Sequence, residues 1–87
     1  MADVRQKICT ALYEEVADIF MLSIDDIAAH PEWNFRTDLS ATSLQYFPLV
    51  TGLEEKLGIT IDAHDFQWSA HTVGDAVDFL MGMHGER

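Results

Sequence analysis

The sequence predicts a small all-α bundle of three main helices plus one short helix, with a long loop between helices one and two. Two observations predict it. Apolar residues recur at helical spacing in three separate stretches, and residues that start and stop helices bound those stretches. The length of 87 residues sets the scale: it allows one compact domain, taken as 1–87, and not two.

Val4, Ile8, Ala11, Leu12, Val16, Ile19 and Phe20 place a first helix from about Asp3 to Phe20. Arg5, Lys7, Glu14, Glu15 and Asp18 fall largely between them as a solvated face. A long connection runs from Met21 to Ala41. Ser23 and Asp26 predict a brief helical turn there, with Ile24 and Ile27 pointing inward. Pro31 then ends any helix, because the residue before a proline is pushed to extended geometry. Trp33, Phe35 and Leu39 are apolar anchors for pinning so long a loop across the bundle.

The second helix is predicted from Ser43 to about Leu57, with Leu44, Phe47, Val50, Leu53 and Leu57 as its buried stripe. Gly58 is the natural stop. Pro48 removes one N–H and crowds the carbonyl of Leu44, which predicts a kink. Gly52 is a poor helix former, by about 1 kcal/mol against alanine; it reads as a notch for helix packing ahead of space for a ligand. Ile59-Thr60-Ile61 is extended and crosses the bundle end outside any sheet. Asp62 to Trp68 forms one or two turns with Phe66, and with it Trp68, buried. The last helix begins at Thr72, with Asp75 as its capping partner and Val73, Ala76, Val77, Leu80 and Met81 as its apolar face. Gly82 and Gly85 mark its fraying end.

The formal charge is −10, which disfavours nucleic acid as a partner, since binding it needs clustered Lys and Arg. Such a surface attracts proteins with basic patches over long range; charge kept for solubility gives the same composition. No apolar run is long enough to span a membrane. The N-terminus lacks the basic region and apolar core of a signal peptide, so the expected compartment is the cytoplasm. Cys9, the single cysteine, has no partner for an internal disulfide, and its apolar neighbours Ile8 and Leu12 predict a buried thiol.

Enzymatic chemistry finds little support. His30, His64, His71 and His84 form no i, i+4 pair of the kind that holds a metal on a helix. His64 and Asp65 are adjacent and so do not face each other on a helix. There is no CxxC, no glycine-rich phosphate loop and no calcium-binding loop spacing. No catalytic residue and no metal ligand is assigned, and the chain is read as not an enzyme.

One segment does carry chemistry. In Asp38-Leu39-Ser40-Ala41-Thr42-Ser43-Leu44, Thr42 and Gln45 stand three apart before an apolar run, the Thr-x-x-Gln form of a capping box. Ser43 is then the first helical residue, with a hydroxyl not needed for capping and free to face water. Unpaired N–H groups and the positive end of the helix dipole surround it, a place that suits a phosphoester. An ordinary capped helix start has the same pattern.

That segment resembles the Asp-Leu-Gly-x-Asp-Ser-Leu signature of acyl carrier proteins. Leu53-Glu54-Glu55-Lys56-Leu57-Gly58-Ile59-Thr60-Ile61 is similar to the family's second helix and the segment after it. Thr72-Val73-Gly74-Asp75-Ala76-Val77-Asp78-Phe79-Leu80 is similar to its final helix. The likeness runs in order through nearly the whole chain. It implies a 4′-phosphopantetheine arm attached to Ser43 from coenzyme A by a phosphopantetheinyl transferase, with acyl intermediates held as thioesters. The cargo is that of fatty-acid-like or specialised lipid or polyketide biosynthesis. The resemblance further implies a monomer whose partners are acyl-loading and acyl-processing enzymes with basic docking patches. Glu54 and Glu55 match the family's acidic docking pattern, with Thr42, Leu44 and Gln45 beside the serine. An acyl pocket inside the bundle would draw on Tyr46, Phe47, Val50 and Gly52.

The chain departs from the family pattern at four positions. Thr42 replaces the usual aspartate before the serine, Ser40 replaces the usual glycine, and Gln45 and Pro48 stand where negative charges are common. The cap survives, and the charge at the helix head does not. This points to a dedicated transferase or a specialised pathway. The alternatives are a stand-alone aminoacyl or peptidyl carrier, and an acidic helical interaction module that is never modified.

Overall fold

The computed structural model describes residues 4–85, without the side chains of Ser43 and of residues 84–85. Five helices follow in order: α1 Val4–Phe20, α2 Ile24–Ala29, α3 Ser43–Leu57, α4 Ala63–Ser69 and α5 Val73–Gly85. The expected start at Asp3 lies outside the described residues. Among those residues there is no strand, only an isolated bridge between Asn34 and Thr72. α1 packs against α2, α3 and α5, and α4 sits between α3 and α5.

The helix ends follow from local chemistry. α1 stops where Met21 turns left-handed (φ 57°) and the Leu22 N–H reaches back to the Ala17 carbonyl at 3.0 Å, a Schellman closure made without glycine. Ser23 caps the six-residue α2 by accepting from the Asp25 N–H at 3.2 Å. Ile24, expected to point inward, is 45% exposed; as the first helical residue it faces away from the core, and Ile27 alone takes the buried face. α3 ends at Gly58, whose φ of 66° suits a residue without Cβ. α5 opens with the Thr72–Asp75 box: Thr72 N–H donates to Asp75 Oδ2 at 3.2 Å, and Asp75 N–H donates to Thr72 Oγ1 at 3.0 Å. Gly82 does not end α5, which continues to Gly85.

The long loop is sewn to the start of α5. Phe35 N–H donates to the His71 carbonyl at 2.9 Å, Val73 N–H to the Trp33 carbonyl at 2.9 Å, and Gly74 N–H to the Pro31 carbonyl at 2.8 Å. Trp33 stacks on His30 with ring centroids 4.4 Å apart. Phe35 is the deepest anchor. It is fully buried and meets Phe20, Tyr46 and Phe66 at centroid distances of 6.5, 6.1 and 6.4 Å. These aromatics join the loop, α1, α3 and α4 in one core, extended toward α5 by the edge-on contact of Phe66 with Phe79 at 5.5 Å.

The phase of α3 differs from the sequence expectation. Its buried residues are Tyr46, Leu49, Val50, Leu53 and Leu57, while Leu44 is 78% and Phe47 62% exposed. Each helical residue turns about 100°, so Leu44 and Leu53, nine apart, fall about 180° apart. The two cannot share a face. Tyr46, Leu49, Val50, Leu53 and Leu57 keep i, i+3, i+4, i+7 spacing and do share one. Trp68 likewise lies exposed at 68% and not in the core. Cys9 is partly buried.

Candidate functional site

The site is built on the head of α3. Thr42 is extended (φ −106°, ψ 163°) and Ser43 is the first helical residue. Gln45 Oε1 accepts from the Thr42 N–H at 2.9 Å, and the Gln45 N–H returns to the Thr42 carbonyl at 3.0 Å. The Gln45 side chain and the Thr42 side chain opposite the Gln45 N–H make the expected capping box, and the carbonyl bond is a backbone turn beside it. The expectation that the Ser43 hydroxyl faces water falls on a side chain outside the described structure. The backbone leading to the serine is held by the loop. Asn34 Oδ1 accepts from the N–H groups of Arg36 and Thr37 at 2.8 and 3.2 Å. Asp38 Oδ2 accepts from the Asn34 N–H at 2.8 Å, and Ala41 N–H donates to the Phe35 carbonyl at 2.7 Å. Ser40 bends the chain here with φ 57°, a left-handed conformation disfavoured for residues with a Cβ.

No acidic residue lies in the first turn of α3, so nothing there opposes an anion at the positive end of the helix. A phosphodiester on Ser43 is compatible with that donor-rich end. Thr42 and Leu44 are exposed and Gln45 is partly so, which leaves the surface beside Ser43 neutral and in part apolar.

The other sequence-predicted residues separate. Glu55 is exposed and makes no ion pair among the described residues. Glu54 is partly buried, and its Oε2 accepts from the Ile61 N–H at 2.7 Å, so its carboxylate is spent on holding the segment after α3. Lys56 bridges back to α1, 3.0 Å from Glu14 and 3.6 Å from Glu15. A Cβ on Gly52 would collide with the Glu15 carboxylate, so this glycine makes room for an α1 side chain and not for a ligand. Tyr46 and Val50 are buried in the packed core, whereas Phe47 faces outward and lines no interior pocket. Burial pushes the Tyr46 hydroxyl above the ordinary tyrosine range; Arg36 beside it works the other way, more weakly.

One feature escaped the sequence reading. A cleft of about 310 Å³ opens between the loop and α4, lined by Arg36, His64, Gln67, Trp68 and His71. The one sequence signal for it was the i, i+4 spacing of His64 and Trp68, which puts the two rings side by side. Elsewhere, no helix among the described residues is long and apolar enough to cross a membrane.

Comparison with known proteins gives the family. Residues 10–80 match the family described as "Phosphopantetheine attachment site". The chain is also 36% identical over 76 residues to an acyl carrier protein of Exiguobacterium sp., an alignment covering 87% of this chain and 92% of that protein.

Proposed function

This chain belongs to the acyl carrier protein family, and on that premise we propose that Ser43 is the residue that carries its prosthetic arm. The protein is a carrier and not an enzyme, and its prosthetic group is a covalently attached 4′-phosphopantetheine. When bound, that group supplies a terminal thiol on which acyl cargo is held as a thioester. The observation that supports Ser43 is its place as the first residue of α3 behind a closed capping box. Attachment forms a bond from Ser43 Oγ to phosphorus. Coenzyme A gives up its adenosine bisphosphate, and a base on the transferase takes the hydroxyl proton.

Partner enzymes meet the single carrier domain, a monomer of the cytoplasm, at the head of α3. Thr42, Leu44, Gln45 and Phe47 offer them a neutral, apolar surface, and Glu55 supplies the acidic contact further along. Exposed ion pairs contribute only about 0–1 kcal/mol each, so the role of the negative surface is steering and short-lived docking. Glu54 contributes mainly by shaping that face. The lost charge at Thr42 fits a dedicated transferase and a specialised lipid or polyketide pathway.

Intact-protein mass spectrometry after incubation with coenzyme A and a promiscuous phosphopantetheinyl transferase tests the proposal. The expected result is a gain of one phosphopantetheine group, absent in Ser43→Ala. No gain with several transferases would favour an interaction module that is never modified.

A further inference from the structure

The cleft between the loop and α4 differs in chemistry from the surface around it. In a chain of net charge −10, it gathers an arginine and two imidazoles, and no carboxylate among the described residues lines it. Its volume of about 310 Å³ falls at the lower end of the range for small-molecule sites, which begins near roughly 300 Å³. Two of the other cations are engaged: Arg5 lies 3.8 Å from Asp78, and Lys56 lies 3.0 Å from Glu14. Arg36 makes no ion pair among the described residues.

The cleft is also organised. Trp68 is 68% exposed, yet its Nε1–H donates to His64 Nε2 at 3.1 Å, which fixes the indole as one wall. The Arg36 backbone is held by Asn34 Oδ1 at 2.8 Å, next to the fully buried Phe35. The guanidinium lies beside the Tyr46 hydroxyl. Tyr46 stands three residues after Ser43, one turn along the same side of α3. Arg36, through Tyr46, thus links the cleft to the first turns of α3, the end of the helix that begins at Ser43.

We propose that this cleft receives the far end of the cargo and favours acyl groups that end in a carboxylate, the monothioesters of dicarboxylic acids. The proposal rests on the Ser43 reading for its tether. Arginine pairs with carboxylates through a planar fork of donors. Trp68 covers the methylenes that lead to the carboxylate, and Gln67 and His71 add polar contacts at the rim. A plain alkyl end gains only the indole face and leaves the Arg36 charge without a counter-ion. The arm's own phosphodiester is the other anion on the tether, and the experiment separates the two.

Apo protein is loaded by a promiscuous transferase from coenzyme A, hexanoyl-coenzyme A and adipoyl-coenzyme A, with intact mass confirming each product. The two acyl chains are both six carbons long and differ by the terminal carboxylate. Proton–nitrogen NMR then follows the Trp68 Nε1–H, assigned with Trp68→Phe, and the Arg36 Nε–H. The adipoyl form is expected to shift both signals, and Arg36→Gln to abolish the shift while thermal unfolding confirms that the variant is folded. Equal shifts from hexanoyl and adipoyl cargo would overturn the proposal. So would a full shift from the unloaded arm, which would assign the anion to the phosphodiester. Failure to load would strike the Ser43 reading alone. In that case free S-adipoyl- and S-hexanoyl-pantetheine, titrated into the unmodified protein, decide the cleft. Preference for the adipoyl form, reduced about tenfold or more by Arg36→Gln as for loss of a charge-assisted bond, supports it; equal binding or none refutes it.

Discussion

Glu54→Ala is expected to destabilise the protein, whereas Glu55→Ala, one residue along the same helix, is not. The Glu54 carboxylate accepts from the Ile61 N–H at 2.7 Å in a partly buried setting. A hydrogen bond to a charged group is worth about 1.5–3 kcal/mol, and partial burial favours the lower half of that range. Two terms oppose the loss. Alanine is the better helix former by a few tenths of a kcal/mol, and removing a negative charge near the helix C-terminus gains about 0.3 kcal/mol or more. The net expectation is a loss of about 1–2 kcal/mol. Glu55→Ala carries the same two gains without the bond, so its effect stays within about 0.5 kcal/mol of zero, and the difference between the variants isolates the contact. Thermal unfolding followed by circular dichroism reads it directly, since about 1 kcal/mol moves Tm by roughly 4–8 °C in a domain of this size. Glu54→Gln keeps an oxygen acceptor and is expected to fall between. Equal Tm for the two alanine variants would refute a structural role for Glu54 and return it to the docking surface on equal terms with Glu55.

Four further outcomes follow from the same geometry. Leu49→Ala is expected to cost about 2–5 kcal/mol as a core truncation, and Phe47→Ala less than about 0.5 kcal/mol; urea unfolding that ranked them the other way would contradict the phase of α3. Ser40→Gly is expected to stabilise by about 0.5–1 kcal/mol, because relief of the left-handed serine (about 1–2 kcal/mol) exceeds the added entropy of the unfolded chain, again read by urea unfolding. With its folded-state value raised by burial, Tyr46 binds its proton more tightly in the native state. Its contribution is therefore complete below about pH 10, the ordinary tyrosine value, and is lost as pH rises from there through the higher native value; urea midpoints across that alkaline window should fall less steeply in Tyr46→Phe. Thr42→Asp is expected to speed modification by a generalist transferase, measured as the rate of mass gain, and an unchanged or slower rate would count against a charge-based explanation.

Helix limits were legible because they are written in short-range chemistry. Thr42 with Gln45, Thr72 with Asp75, and Gly58 act on neighbours within four residues, and the structure ends its helices at these places. Phe35 was legible as an anchor because a large apolar residue in a long loop has few other uses. The phase of α3 was legible in part: Val50, Leu53 and Leu57 are buried as expected, and helical spacing alone sets Leu44 opposite Leu53, but Leu44 and Phe47 are as apolar as the residues that are buried. The contacts of Tyr46 with Phe35 and Phe66 hold the buried face in place. Gly52 was legible as a packing notch, with Glu15 as the side chain it admits, whereas the role of Glu54 depends on Ile61, a contact that no local pattern encodes. The same holds for the cleft, whose lining comes from the loop, α4 and the residue before Thr72. At the head of α3, Ser43 is proposed from the sequence pattern, and the family match spans that position.

The most direct test of the account is mass spectrometry of the protein isolated from its native cells, combining intact mass with peptide mapping of the modified residue. The expected result is a phosphopantetheine group on Ser43, with part of the population carrying an additional acyl mass. An unmodified chain, or an arm mapped to any other residue, would contradict it.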